Sequence, residues 1–459
     1  MSNIVQIRKK FLGDKIFFKN LITIALPIVI QNFIASSLNM VDTVMIGKVG
    51  ETEIAAVGIA NQYFFLFSLF IIGIYGGCGV FISQFWGKGD ENNIKKIMGI
   101  GNILGIILSI IFTIIALIFS KEIIAIFNND PKVIKLGGEY LKIVCISYIF
   151  TAISFNYSTA CRCIHKATLP MFISAIAILC NTVFNYIFIF GHFGSPILGV
   201  KGAALATLIA RVLECIILLI VVYKNGLSIA AKFNNMVDYD INFVKKVFRT
   251  IIPVVLNEGC WGLGAVVYSV VYGRIGTQAM ASVQICTTIQ NIFMVIIFGI
   301  ANAATVLIGN KVGAGKEKEA IEDSIRISLI SALIGIIIAI LLSSTSGIIL
   351  SFFNVSEAVK HTSKIILYIV SAILLIRVTN ISIIVGILRG GGDAGYALKV
   401  EAFTMWFIGV PLAFIGAFVL KLPVEYVVAL VTIEEVVKCF FSVKRLCSKK
   451  WIKSVVHEI

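Results

Sequence analysis

The sequence predicts an all-α polytopic membrane protein: twelve transmembrane helices arranged as two pseudo-symmetric lobes of six. Three observations carry this. Hydrophobic residues make up 59% of the 459 positions and charged residues only 14%, with mean hydropathy +0.99, too little charge to cover a soluble protein of this length. Apolar windows long enough to cross a hydrocarbon core recur from end to end. The second half of the chain also repeats the first.

The spans fall near 20–46, 54–85, 97–120, 136–159, 168–190, 201–223, 247–272, 279–309, 324–350, 363–387, 398–420 and 424–443. An even number puts both termini on one side. The termini and the even-numbered connections hold 26 Lys and Arg, whereas the opposite connections hold nine: Lys48, Lys121, Lys132, Lys135, Lys201, Arg274, Lys360, Lys364 and Lys421. The positive-inside rule then places both termini in the cytoplasm of a cell (inner or plasma) membrane. The net charge of +15 is thus topological and implies no nucleic-acid partner. The basic N-terminus, with Arg8, Lys9 and Lys10, lacks the short apolar core and small-residue site of a cleavable signal, and no lipidation motif follows. The resulting division is a cytoplasmic segment 1–19, an N-lobe 20–223, a cytoplasmic linker 224–246, a C-lobe 247–443 and a cytoplasmic tail 444–459.

Most of the ten cysteines lie inside apolar segments, where they act as small hydrophobes. There is no CxxC, and His165, His192, His361 and His457 are scattered. Cys161 and Cys163 read as two packed thiols rather than metal ligands. Disulfides, metal and cofactor are not expected.

Sliding the chain against itself by 226 positions aligns Pro27 with Pro253, Gly47 with Gly273, Gly73 with Gly299, Gly87 with Gly313 and Gly89 with Gly315. Between 27–89 and 253–315 no gap is needed, and 17 of 63 positions are identical. One further residue of shift aligns Arg162 with Arg389 and Ala167 with Ala394. Each half has six spans, so the repeats are parallel and related by an axis along the membrane normal. Two such lobes joined by a long polar linker fit a transporter that alternates access to a central cleft.

Several stretches resemble the multidrug and toxic compound extrusion (MATE) transporters. They are "ALPIVIQNFIASSLNMVDTVMIGKVG", "ISQFWGKGD", "NTVFNYIFIFG", "LGVKGAALATLIAR" and "GILRGGGDAGYA", and the resemblance covers about 20–445. It implies a V-shaped pair of six-helix lobes and export of organic compounds driven by inward Na⁺ or H⁺.

Charged groups inside spans cost about 2.5–3.5 kcal/mol each on insertion scales and are functional candidates for that reason. Asp42 in span one and Glu258 in span seven are acids with no base at helical spacing. A buried carboxylate can hold a proton, a Na⁺ or an organic cation, but not two at once, which is the chemistry of an antiporter. The alternative for Glu258 is a protonated acid bonded to carbonyls freed by Pro253. At the repeat offset Glu258 meets Asn32, and Asp42 meets Tyr268, so the acids are not duplicated. Asn181 and Asn185 share a face of span five, and the resemblance puts them near Asp42 as further cation-coupling residues. An interhelical hydrogen-bonded pair is the alternative. Some family branches carry an acid in span ten; here Arg377 stands near that position, as counter-ion or substrate contact.

Gln284, Thr287, Thr288 and Asn291 form a polar stripe on span eight. With Asn61, Gln62 and Tyr63 of span two, and Arg377, they are the candidate substrate cleft. Pro27 and Pro253 are candidate kinks. Arg211 with Glu214, and Glu434 with Lys438, look like self-neutralising pairs, and Arg162 and Arg389 are expected to hold cytoplasmic turns. Gly73 with Gly77, and Gly386 with Gly390, read as close-packing sites.

The function expected is a secondary active antiporter for organic, cationic, amphipathic compounds, acting as a monomer in the bilayer. Two other readings stand beside it. A lipid-linked glycan flippase on the same two-lobe plan should line its cleft with several Arg or Lys, and Arg377 is the chief one here. A membrane-embedded enzyme lacks any catalytic or metal-binding constellation.

Overall fold

The computed structural model describes residues 15–353 and 355–457, apart from the side chains at 38 and 39. The basic cluster of Arg8, Lys9 and Lys10 lies outside them. Every regular element among the described residues is a helix. Eleven are long and apolar enough to cross a membrane: Lys15–Gly47, Glu51–Lys88, Glu91–Ile118, Pro131–Cys163, Thr168–Phe190, Val200–Lys224, Ile241–Ile275, Thr277–Gly313, Glu317–Ser351, Glu357–Leu388 and Ala394–Val419. They match the first eleven expected spans in order. The twelfth, Val424–Cys447, is equally helical, but Glu434, Glu435 and Lys438 interrupt its apolar run.

Local chemistry sets the ends. Asp90 accepts a hydrogen bond from the Asn93 N–H (3.1 Å) and starts span three. Asp130, followed by Pro131, does the same for span four through the Lys132 N–H (2.8 Å). Gly191, at φ +74°, ends span five in the left-handed conformation. Pro27 and Pro253 both lie inside continuous helices, where each removes one backbone donor. Spans ten and eleven contain wide, π-type turns at Ser382–Leu388, Met405–Gly409 and Ile415–Val419.

Contacts divide the described chain into two compact units. One holds 26–86 and 90–251; the other holds 252–457 with 15–25 and 87–89. The divisions fall at equivalent places, with one residue, Leu26 or Ile252, between each division and Pro27 or Pro253. The N-terminal unit has an aromatic core: Phe67 stacks on Tyr148 with centroids 4.7 Å apart, and Tyr63 donates to the Phe112 carbonyl at 2.8 Å. The C-terminal unit has an aliphatic one, centred on Val271, Ile289, Ile297, Leu342, Leu367 and Val427. The linker contains the short helix Phe233–Val237 and packs back on its own unit: Ile229, Ala231 and Met236 are buried, and Lys96 pairs with Asp238 at 3.8 Å.

The turn 389–393 is held differently from the expectation. Asp393 receives Arg445 (2.6 Å) and Lys453 (2.7 Å), and the Lys453 N–H bonds the Gly391 carbonyl at 2.7 Å. Trp451 is fully buried against Gly391. Tail residues therefore clamp this turn, which frees Arg389 to reach into the lobe.

A Cβ at Gly386 would stand 2.8 Å from that of Ala304, and one at Gly390 2.6 Å from the Thr305 carbonyl oxygen. Spans eight and ten touch backbone to backbone there, as the glycine spacing predicted. Gly390→Leu should therefore destabilise the C-terminal unit by about 1–3 kcal/mol, the usual cost of overpacking. Thermal unfolding in detergent checks this, and an unchanged midpoint would remove the contact from the account.

Candidate ion and substrate sites

The sequence places Asp42 near the C-terminal end of span one, and the fold turns span five towards it. Asn185 Nδ2 donates to Asp42 Oδ1 at 2.6 Å. Asn181, one turn earlier, sits beside Asn185 (3.2 Å). With its amide oriented to satisfy its neighbours, Asn181 donates to the same Asp42 oxygen at 3.1 Å and accepts from the Thr207 N–H at 3.3 Å. Both asparagines are almost fully buried. Asn185 Oδ1 has no hydrogen-bond partner, and Asp42 forms no ion pair among the described residues. The i, i+4 spacing thus brings two amides onto one acid.

Glu258 has a different setting. Arg389 Nη2 donates to Glu258 Oε1 at 2.6 Å and also to Asn257 Oδ1. The acid expected to lack a base has one, supplied from span ten across 131 residues of chain. Side-chain exposure is 6% for Arg389 and 16% for Glu258, so the pair is little solvated. The N-terminal unit repeats the tie in neutral form: Arg162 Nη2 donates to Gln31 Oε1 at 2.9 Å. Gln31 aligns with Asn257 and Arg162 with Arg389. Each arginine therefore binds the fourth helix of its lobe to the first, one turn beyond the shared proline. Two donors at the Glu258 site, Arg389 Nε and Asn257 Nδ2, have no acceptor.

The polar residues of span twelve gather more than the expected pair. Lys438 Nζ lies 2.8 Å from Glu434, 3.0 Å from Glu401 of span eleven and 3.9 Å from Glu435. Tyr268 donates to Glu434 at 2.6 Å, and Asn380 to Glu435 at 2.7 Å. Arg377 stands 3.9 Å from Glu435 and donates to Gln290 at 3.1 Å, so it is a counter-ion within its lobe.

The candidate substrate residues separate into two groups. Asn61, Gln62, Gln284, Thr287, Thr288 and Asn291 are exposed on their own units. The Thr287 and Thr288 hydroxyls bond back to the carbonyls of Val283 and Gln284, both at 2.9 Å. Tyr63, by contrast, is turned into the aromatic core with its hydroxyl satisfied, which corrects its placement in the cleft. Its position next to Gln62 hid this, because adjacent helical residues point to different sides.

The family model described as MatE matches residues 27–187 and again 253–415. Both matches open on the prolines Pro27 and Pro253. The chain belongs to the MatE family. It is therefore a multi-pass membrane transporter and not an enzyme. Among relatives, a probable multidrug resistance protein NorM of Agrobacterium fabrum is 25% identical over 415 residues, covering 87% of each chain. An uncharacterized transporter YisQ of Bacillus subtilis is 24% identical over 445 residues, 96% of each chain. The fold matches the MATE transporter VcmN of Vibrio cholerae in its bent form, with TM-score 0.85, 18% identity and coverage of 95% of this chain and 99% of that one. It also matches a MOP-superfamily transporter of Pyrococcus furiosus, with TM-score 0.85, 19% identity and coverage of 96% and 98%.

In this MatE protein the sequence reading missed Glu401 and Glu435 as partners of Lys438, and Arg389 as partner of Glu258. Helical spacing shows only neighbours three or four residues apart. The repeat offered one further signal, since it aligned Arg162 with Arg389 before any contact was known.

Removing one partner of a buried pair leaves the other charge uncompensated, at a cost of about 3–5 kcal/mol. Arg389→Met should therefore destabilise the protein by that amount, and adding Glu258→Gln should restore part of it. A double-mutant cycle on thermal unfolding measures the coupling. Additive effects would show that the pair does not act as one.

Proposed function

We propose that this chain is a secondary active antiporter exporting organic, cationic, amphipathic compounds in exchange for inward Na⁺ or H⁺. It acts as a monomer in the cell membrane, with both termini cytoplasmic, by alternating access of its two lobes. The names of relatives such as the probable multidrug resistance proteins NorM support the class of cargo.

The observation that carries the reading is the Asp42 cluster. A carboxylate without an ion-pair partner stands against two buried amides, and one amide oxygen, Asn185 Oδ1, is unused. Leaving a buried acceptor unpaired costs about 1–3 kcal/mol, so its retention asks for a donor or a cation that arrives from outside the lobe. An oxygen set of one carboxylate and amide carbonyls suits a hard monovalent cation. When the site is vacated, the amides can present their N–H ends to Asp42 instead. A proton on Asp42 would neutralise the same charge. Either ion competes with an organic cation for one carboxylate, and that exclusion couples the two flows.

Glu258 was expected to share this role because it stood alone. Its ion pair with Arg389 removes that ground, and Asp42, Asn181 and Asn185 now carry the proposal. The exposed amides and hydroxyls at Asn61, Gln62, Gln284, Thr287, Thr288 and Asn291 would supply substrate contacts. The polar ends of such side chains and the apolar helices around them fit amphipathic molecules.

The test uses protein reconstituted in liposomes with ethidium as the probe substrate, under a Na⁺ gradient or a pH gradient alone. Asp42→Asn should abolish gradient-driven ethidium movement while leaving thermal stability close to wild type. Asn185→Leu should weaken it and raise the ion concentration needed for half-maximal transport. Retained coupling in Asp42→Asn would sink the reading, and whichever gradient drives the wild type names the ion.

A further inference from the structure

The polar network of the C-terminal lobe does not balance. Glu401, Glu434 and Glu435 contribute three carboxylates, and Lys438 and Arg377 contribute two bases. The side chains of Lys438, Glu401 and Glu434 are 6%, 9% and 5% exposed, against 19% for Glu435 and 33% for Arg377, so what water reaches the network meets Glu435 rather than Glu401. Among the described residues, the other titratable groups facing the network are Tyr268, Tyr272 and Cys260 of span seven and Cys439 of span twelve, none of them a base. One negative charge is left over among spans ten, eleven and twelve. An uncompensated buried charge is expensive enough that the group takes a counter-ion or a proton instead.

Contacts single out which carboxyl that is. Glu434 has both oxygens engaged, Oε1 by Lys438 and Oε2 by the Tyr268 hydroxyl. Glu435 receives Asn380 on Oε2, while Oε1 faces both Lys438 and Arg377 at 3.9 Å. Among the described residues Glu401 receives only Lys438, on Oε1. Its second oxygen is where a proton can sit without displacing a donor.

The repeat points the same way. At the shift that aligns Arg162 with Arg389, Glu401 falls on Ser174. Ser174 donates its hydroxyl to Glu214 Oε1 at 2.6 Å, and Glu214 is balanced by Arg211 at 2.8 Å. The N-terminal lobe thus has an O–H group and a closed ion pair where the C-terminal lobe has an acid and an open one. A protonated Glu401 is also an O–H group, so protonation restores the shared pattern. Deprotonation breaks it.

We infer that Glu401 is a proton-carrying carboxyl of the C-terminal lobe, with Lys438 as its fixed counter-charge, and that it releases this proton during transport. This rests on the coupled-antiport reading and adds to it a second titratable position, remote in sequence from Asp42. In the release step the O–H bond of Glu401 breaks, the proton passes to water, and the electron pair stays on the carboxylate. The lobe then carries an extra negative charge that an arriving cation can compensate.

The first measurement needs no variant and no transport. Infrared difference spectra between acidic and alkaline pH are taken on the full protein with ¹³C-labelled glutamate. A protonated carboxylic acid band that shifts with the label is expected. It should disappear in Glu401→Gln and persist in Glu258→Gln and Asp42→Asn. In liposomes, Glu401→Gln should lose ethidium-driven proton movement relative to ethidium flux. Absence of a glutamic acid band in wild type would overturn the inference, even if Glu401→Gln does not fold. So would a band that survives Glu401→Gln, or proton movement unchanged by it. If Asp42→Asn abolishes coupling while Glu401→Gln leaves it intact, the antiport reading stands and this inference alone fails. If Asp42→Asn keeps coupling while the Glu401 band behaves as stated, the failure belongs to the Asp42 site.

Discussion

Charge neutralisation in a medium without water is the constraint on which the rest of this structure depends. In aqueous solution a lone carboxylate is solvated, and partners add little. Inside a membrane span its partners must come from the same bundle of helices. Asp323 collects Lys311 and Arg326, Glu214 takes Arg211, and Glu258 takes Arg389. Each pair fixes the position of a helix as well as a charge. What remains unbalanced after this pairing is a short list, and Asp42 and the Glu401 network head it.

The internal repeat shows which demands belong to the scaffold. Pro27 and Pro253 hold the same place in their helices, and the Arg162–Gln31 and Arg389–Asn257 contacts tie equivalent helices together. Those features serve both lobes and stayed in both. The acids did not. Asn32 stands opposite Glu258, and Ser174 opposite Glu401, so the second lobe has exchanged two neutral groups for carboxylates. At the same shift Lys438 falls on Arg211 and Arg377 on Phe150, so Arg377 is the base that accompanies that exchange. The repeated features make up the frame, and the acids that differ between the lobes lie within it.

Much of this was legible in the sequence, and the reasons for the rest are physical. Hydropathy located the spans because burial in lipid requires long apolar runs, and the order of helices follows from it. The pairing of Asn181 with Asn185 was visible because four residues make one helical turn. The Glu434–Lys438 pair was visible for the same reason, and that was misleading: it looked closed, whereas Glu401 and Glu435 share the same lysine. Arg389 is expected at a turn; the turn is instead held by Asp393 with Arg445 and Lys453. Contacts between distant helices leave no mark at short spacing. Only the repeat reached that far.

The two acids first singled out now differ in kind. Arg389 offers Glu258 donors only, in a rigid planar group with no acceptor. A cation approaching Glu258 would have to displace a covalently attached competitor. The partners of Asp42 are amides, each with a donor end and an acceptor end that exchange by rotation about one bond. Such a shell can face an ionised carboxylate with its N–H groups and a bound cation with its oxygens. A site that must accept and release an ion in each cycle needs neighbours that suit both states, and amides meet that condition where an arginine does not. The unused oxygen of Asn185 is what such a shell leaves when the carboxylate has taken its N–H ends.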